Sequence, residues 1–221
     1  MERYIFRNAT VNDVPFLVET IIEAEKSGTD KLSYTTIFRL TEVETRKYLT
    51  EMFLEQVDGC SLSVSSFLCA EFDGKVIAAV SEWIEGIYGI PSTVLKGNLL
   101  NYFLPKGCLE NAFSLNYSLP DLQHEYTPNT IQLGDVYVLK AHQGNNLARL
   151  LALKKIELLL YARPHITEAF AQVFDCNIPS IKTCTKMDFK EFKIRECKDK
   201  NVMQYLPSCR KILFRKELFT T

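Results

Sequence analysis

Residues 136–149 read Val-Tyr-Val-Leu-Lys-Ala-His-Gln-Gly-Asn-Asn-Leu-Ala-Arg, an apolar run that passes through a Gly/Asn-rich turn into a helix-forming stretch. A turn of this composition aims backbone N–H groups and a helix N-terminus at one point, which is how proteins hold phosphate groups. Between Lys140 and Ile156 the chain carries the basic residues Lys140, Arg149, Lys154 and Lys155 and no acid, so positive charge collects beside the turn. His142 directly precedes it, either near a bound phosphate or as an ordinary exposed histidine. The patterns G-x-x-x-x-G-K-[ST] and G-x-G-x-x-G are absent, which excludes those two nucleotide loops. The other reading of the segment is a helix that merely begins with Gly-Asn.

The elements around this turn give it a setting. Residues 131–139 read as a strand, 144–162 as a helix with Ala152, Ile156, Leu159 and Leu160 inward, and 166–174 as another strand. Such a β-α-β unit has parallel strands and favours ligands outside their carboxyl ends. Upstream, Thr10-x-x-Asp13 is a capping-box pattern before Val14, Leu17 and Ile21 at helical spacing, with Gly28 past the end. Thr41-x-x-Glu44 opens the next helix, in which Tyr48, Leu49, Met52 and Phe53 recur. Residues 67–72 and 76–83 form two strands around Asp73-Gly74, the dipeptide of a two-residue type I′ hairpin. A short helix over 179–187 and strands over 189–195 and 210–218 finish the chain. Residues 86–130, punctuated by Pro91, Pro105, Pro120 and Pro128, read as a helix-containing excursion. Its aromatics (Tyr88, Tyr102, Phe103, Phe113, Tyr117, Tyr126) suit either a lid or partner surface or the simple packing of an extra helix.

Composition bounds the function. With 221 residues, 47% hydrophobic and 24% charged, the sequence predicts one folded domain over 1–221, not a disordered chain or a coiled coil. The 26 basic and 27 acidic side chains leave a formal charge of -1, so no global field recruits nucleic acid or an anionic membrane. The 7 cysteines (Cys60, Cys69, Cys108, Cys176, Cys184, Cys197, Cys209) are odd in number and lack a C-x-x-C pair, which predicts reduced thiols. His124 and His165 share no ligand spacing with a cysteine or acid, so no metal is expected. The first ten residues include Glu2, Arg3 and Arg7 and lack the unbroken apolar stretch of a signal peptide. No apolar run reaches the ~18 residues of a membrane span, and a cytoplasmic protein is expected.

The order of these motifs resembles the GNAT superfamily of acyl-CoA-dependent N-acyltransferases. Gln143-x-x-Asn146-x-Ala148 is similar to its [RQ]-x-x-G-x-[GA] pyrophosphate loop between the fourth strand and third helix. Arg7-x-Ala9-Thr10-x-x-Asp13 resembles its first strand and helix start, and the Asp73-Gly74 hairpin its second and third strands. Val173-x-x-x-Asn177-x-x-Ser180-Ile181, followed by Lys186-Met187-Asp188-Phe189, resembles its V-x-x-x-N-x-x-A-i and k-l-G-F patterns. The resemblance covers most of the chain apart from the excursion. It implies an α/β (mixed α+β) fold: a mixed, mostly antiparallel sheet of about seven strands flanked by helices, with the β-α-β unit binding the co-substrate. There are three departures. Asn146 replaces the second glycine of the loop, Asp188 the glycine of G-F, and Cys184 the tyrosine that acts as general acid in many members.

Carried over residue by residue, the resemblance implies that Val138 and Leu139 meet the pantetheine arm of acetyl-CoA through their backbone. It assigns Gln143, Gly144, Asn145, Asn146, Leu147, Ala148 and Arg149 to the pyrophosphate loop, and makes Asn177 the motif asparagine. The implied reaction is direct transfer of an acetyl group to an amine of a small molecule, peptide or protein by a monomer or homodimer. It requires a base for the ammonium, amides for an oxyanion and an acid for the departing thiolate. Asp135 stands near enough for the base, with Gln132 or a water chain as the alternative, or it caps a strand edge. Cys184, a thiol of ordinary pKa near ~8.5 against ~10 for a phenol, is admissible as the acid, or it is a buried structural cysteine. A module that binds acyl-CoA or a partner protein without turnover is the competing class.

Overall fold

The computed structural model describes residues 4–115 and 120–218. Glu2, Arg3 and Tyr117 of the sequence reading lie outside them. The sheet has seven strands in the order β1-β2-β3-β4-β5-β7-β6: β1 (Ile5–Asn8), β2 (Phe67–Phe72), β3 (Lys75–Ile84), β4 (Ile131–Val138), β5 (Glu168–Phe174), β6 (Lys190–Glu196) and β7 (Arg210–Glu217). Every neighbouring pair is antiparallel except β4 with β5. The mixed sheet and the parallel pair agree with the sequence expectation.

Local chemistry explains the first elements. Thr10 and Asp13 close the capping box ahead of α1 (Val14–Lys26). Asp13 also accepts both guanidinium arms of Arg7, at 2.7 and 2.9 Å, and these bonds hold its carboxyl down at about 2. Ser27 and Gly28 both take positive φ, which stops the helix. Asp73 and Gly74, at φ 48 and 74, make the type I′ turn between β2 and β3. The second capping box, Thr41 with Glu44, opens α3 (Glu42–Leu54). Between α1 and α3 lies a one-turn helix, α2 (Ser33–Ile37), where the sequence reading ran the two capped helices consecutively. Five residues are too few for a helical period to register.

The excursion holds α4 (Ser92–Phe103) and α5 (Lys106–Ser114). The Glu85 carboxylate anchors α4 at its first residue, accepting from the Ser92 amide at 2.9 Å and from the Ser92 hydroxyl, while Trp83 Nε1 donates to the same carboxylate at 3.1 Å. Helices α6 (Leu147–Ala162) and α7 (Ile178–Lys186) pack on one face of the sheet, over Leu68, Ala70, Val80, Ile131 and Ala169. The opposite face carries α1, α3 and α4 over Phe67, Cys69 and Ala79. Glu82 lies on the α6 face, fully buried, with neither carboxylate oxygen hydrogen-bonded among the described residues. Desolvation pushes its pKa well up against the pull of Lys155 of α6, whose ammonium donates to the Ser65 carbonyl at 2.8 Å.

What positions the site is a fault in β4. Opposite the single residue Ser81 stand two residues, Gly134 and Asp135, where the β3–β4 register shifts. The Ser81 hydroxyl accepts from the Asp135 amide at 2.8 Å. Only glycine fits at 134, because a Cβ there would lie 2.5 Å from Ser81 Oγ and 2.7 Å from Trp83 Cζ3. From this bulge onward β4 leaves β5. The two strands pair only from Ile131 to Leu133 against Ala169 to Ala171, while β5 stays paired with β7 throughout. A cleft opens between the carboxyl ends of two parallel strands.

Candidate active site

The cleft has a volume of about 900 Å³. One side is built from backbone. Leu139 donates its amide to the Ile77 carbonyl at 2.9 Å, so in an antiparallel ladder the N–H and C=O of Val138 and Val136 point the other way, into the cleft. The Val138 carbonyl accepts from the Gln143 side chain at 3.0 Å, which folds the loop back onto the strand. Gly144 and Asn146 both have positive φ, 86 and 59. Asn146 therefore fills the glycine position of the loop motif by adopting the left-handed conformation that asparagine tolerates. Asp188, at φ 64, does the same for the later motif. Because the turn runs through residue 146, α6 starts at Leu147, three residues later than the sequence pattern predicts.

Among the described residues, no backbone carbonyl accepts from the amides of Gly144 to Arg149, and Arg149 Nε is buried without a partner. A Cβ at Gly144 would meet nothing within 4 Å. Unused donors around open space at a helix N-terminus fit a pyrophosphate. Val138, Gln143, Gly144, Asn146, Leu147, Ala148, Arg149, Asn177, Asp135 and Cys184 all line this cleft. Two residues of the sequence set do not line it. Leu139 spends its amide on β3, and the Asn145 side chain donates to the His142 carbonyl at 3.1 Å. Asn177 caps α7, its side-chain oxygen accepting from the Ser180 amide at 3.2 Å. His142 also lines the cleft, its ring 5.2 Å from that of Phe72.

The other side of the cleft is built from side chains. Asp135 keeps a window on the cleft while protein surrounds its carboxyl closely, and desolvation pushes its pKa up to about 7 against the opposing pull of Lys96. Glu25 at the end of α1, Lys96 of α4, Tyr126, Trp83 and Lys211 of β7 share this side. The Tyr126 ring packs edge-on against Trp83 at 5.9 Å, so Trp83, read from sequence as a packing residue, is also cleft wall. Cys184 sits at 5% exposure, and burial pushes its thiol up to about 12. The sequence reading missed Glu25, Lys96 and Lys211, which no motif or spacing marks.

Among the described residues, no group of three or more acidic, His or Cys side chains is arranged to hold a metal ion, and no helix is long and apolar enough to cross a membrane.

Solved structures share the architecture. An N-acetyltransferase from Staphylococcus aureus Mu50 superposes with a TM-score of 0.65 at 13% identity, covering 96% of this chain and 100% of its own. The Drosophila melanogaster polyamine N-acetyltransferase, which forms N-acetylagmatine, gives 0.57 at 13% identity over 98% and 100%. A ribosomal-protein-alanine N-acetyltransferase from Brucella melitensis gives 0.53 at 17% over 97% and 99%. At these identities the likeness is one of fold. No curated sequence matches significantly. The family model for the acetyltransferase (GNAT) family matches residues 33–189, and with its split seven-stranded sheet the chain belongs to that family.

Proposed function

We propose that this protein transfers an acetyl group from acetyl-CoA to an amine by direct attack, with Asp135 as the base. The observation that carries the reading is a carboxyl group poised near 7 on the bulge at which β4 parts from β5, in the same cleft as a loop of unused amides. Acetyl-CoA, as co-substrate, supplies an activated acyl carbonyl. The amides and Arg149 of the 143–149 loop bind its pyrophosphate, and the cleft-facing backbone of Val136 and Val138 orients its arm and acyl end. Asp135 takes the proton of the incoming ammonium, which its near-neutral pKa suits. The new C–N bond replaces the C–S bond, the sulfur leaves with the electron pair, and the nitrogen of the adduct sheds its second proton to solvent, from which the thiolate takes one.

Cys184 lines the same cleft. A thiol at about 12 stays protonated at neutral pH, and giving its proton fully to a thiolate of ordinary basicity, ~8.5, is uphill. Its role is therefore a hydrogen bond to the departing sulfur, weaker than the proton delivery of a matched acid. Calorimetric titration with acetyl-CoA, followed by thiol release across a panel of amines, tests the reading. Tight binding without release from any amine would move the protein to the non-catalytic acyl-CoA-binding class.

A further inference from the structure

Two ammonium groups converge on the part of the cleft that holds Asp135, Glu25 and Tyr126. Lys96 comes one helical turn after Ser92, the residue clamped by Glu85, so that turn of α4 is fixed in place. Lys211 comes from β7, its ammonium 4.6 Å from the centroid of its cross-strand partner Phe174. Both line the cleft, and each lies within range of the other's charge. Neither makes an ion pair among the described residues.

Of the carboxylates nearby, Glu23 pairs with Lys26 at 2.8 Å, while Glu25, which accepts from the Ser33 hydroxyl, keeps its charge within range of both lysines. Asp135 is the group that must take a proton. The buried Tyr34 hydroxyl lies beside Lys96. Lys96, Lys211 and an entering ammonium carry three positive charges against the two of Glu25 and Asp135, so an anionic group on the acceptor would balance the cleft.

We propose that the acceptor is an amine that also carries an anionic group, a carboxylate or a phosphate, which Lys96 and Lys211 bind while the amine meets Asp135. The proposal rests on the transferase reading for the fate of the amine, but the anion site itself does not depend on turnover. Lysine suits either anion, since its ammonium is a compact point charge with three donors.

The test uses matched pairs that differ in the anionic group: arginine against agmatine, ornithine against putrescine, and phosphoethanolamine against ethanolamine. Each is measured by calorimetric binding to the CoA-saturated protein and by CoA release from acetyl-CoA. The anionic member of at least one pair is expected to bind tenfold or more tightly and to give the higher kcat/KM. Preference within the amino-acid pairs identifies a carboxylate, and within the last pair a phosphate. Lys96→Met with Lys211→Met should erase the preference while CoA affinity stays. If that double variant fails to fold, single Lys96→Gln and Lys211→Gln variants should each reduce it. Preference for the decarboxylated members, binding of neither member, or a preference indifferent to the lysines overturns the proposal. Lysine-dependent binding without CoA release would instead retain the anion site and overturn the transferase reading.

Discussion

The loop side of the cleft is made almost wholly of backbone contributed by one continuous stretch, from Val136 through Arg149, while the opposite side is made of side chains brought from α1, β3, α4, β4, α7, β7 and residue Tyr126. Backbone donors need only a conformation, so the loop survives the exchange of glycine for asparagine at position 146, provided the left-handed φ is kept. Side-chain chemistry depends on burial and neighbours. Desolvation brings the Asp135 carboxyl up to about 7, with Lys96 pulling the other way, and its proposed role as base rests on that balance. The comparison teaches that binding of the donor and reaction with the acceptor should separate under mutation.

The largest separation is expected at Asp135. Asp135→Asn should lower kcat by a factor of roughly 10² to 10⁴, the usual cost of losing a general base, while the Kd for acetyl-CoA stays put. In the parent the base must be ionised, so the rate should rise with pH through about 7. The groups facing the carboxyl are Lys96, Glu25 and the Ser81 hydroxyl. Because Lys96 holds the pKa down, Lys96→Met should move that limb to higher pH. An unchanged kcat in Asp135→Asn would assign the proton to another group.

The converse separation belongs to Gly144. A ligand that binds only the folded state at a hundredfold excess over its Kd stabilises by about 2.7 kcal/mol, which for a chain of this size is a melting shift of roughly 5 to 11 °C. Gly144→Leu should abolish that shift, because its side chain occupies the open space beside the loop amides and positive φ costs it about 1–2 kcal/mol. Retention of the full shift with acetyl-CoA would locate the pyrophosphate elsewhere.

A smaller effect, on both sides at once, is expected from the bulge. Gly134→Ala drives a methyl into Ser81 and Trp83 and should cost about 1–3 kcal/mol of stability, read as a melting decrease of ~2–12 °C. Activity should fall further than stability explains, since Asp135 is the next residue. The smallest change is expected at Cys184: its raised pKa limits it to hydrogen bonding, so Cys184→Ala should reduce kcat less than about tenfold. A loss of 10² or more would restore the thiol as a full proton donor.

The elements that announce themselves in the sequence are those with local causes. The Thr10/Asp13 and Thr41/Glu44 capping boxes, the Asp73-Gly74 turn and the Gly144–Asn146 turn each act within a few residues, and all stand where the pattern puts them. The short α2 and the late start of α6 are less legible, since one lacks a full period and the other depends on a dihedral angle. Glu82 had a visible signal, an acid inside an otherwise apolar strand, whose burial without a partner only packing could reveal.

By itself, the sequence determined the strand–turn–helix that sets backbone amides at a helix N-terminus, and the order of motifs that marks the family, because both are written in consecutive residues. Tertiary structure alone decided where β4 and β5 part and how far Asp135 is desolvated. It also decided that Lys96 and Lys211, 115 positions apart by their numbers, share one cleft. Those outcomes depend on the Ser81–Gly134 bulge, the Glu85–Ser92 anchor and the β5–β7 pairing, each a contact between residues from separate elements.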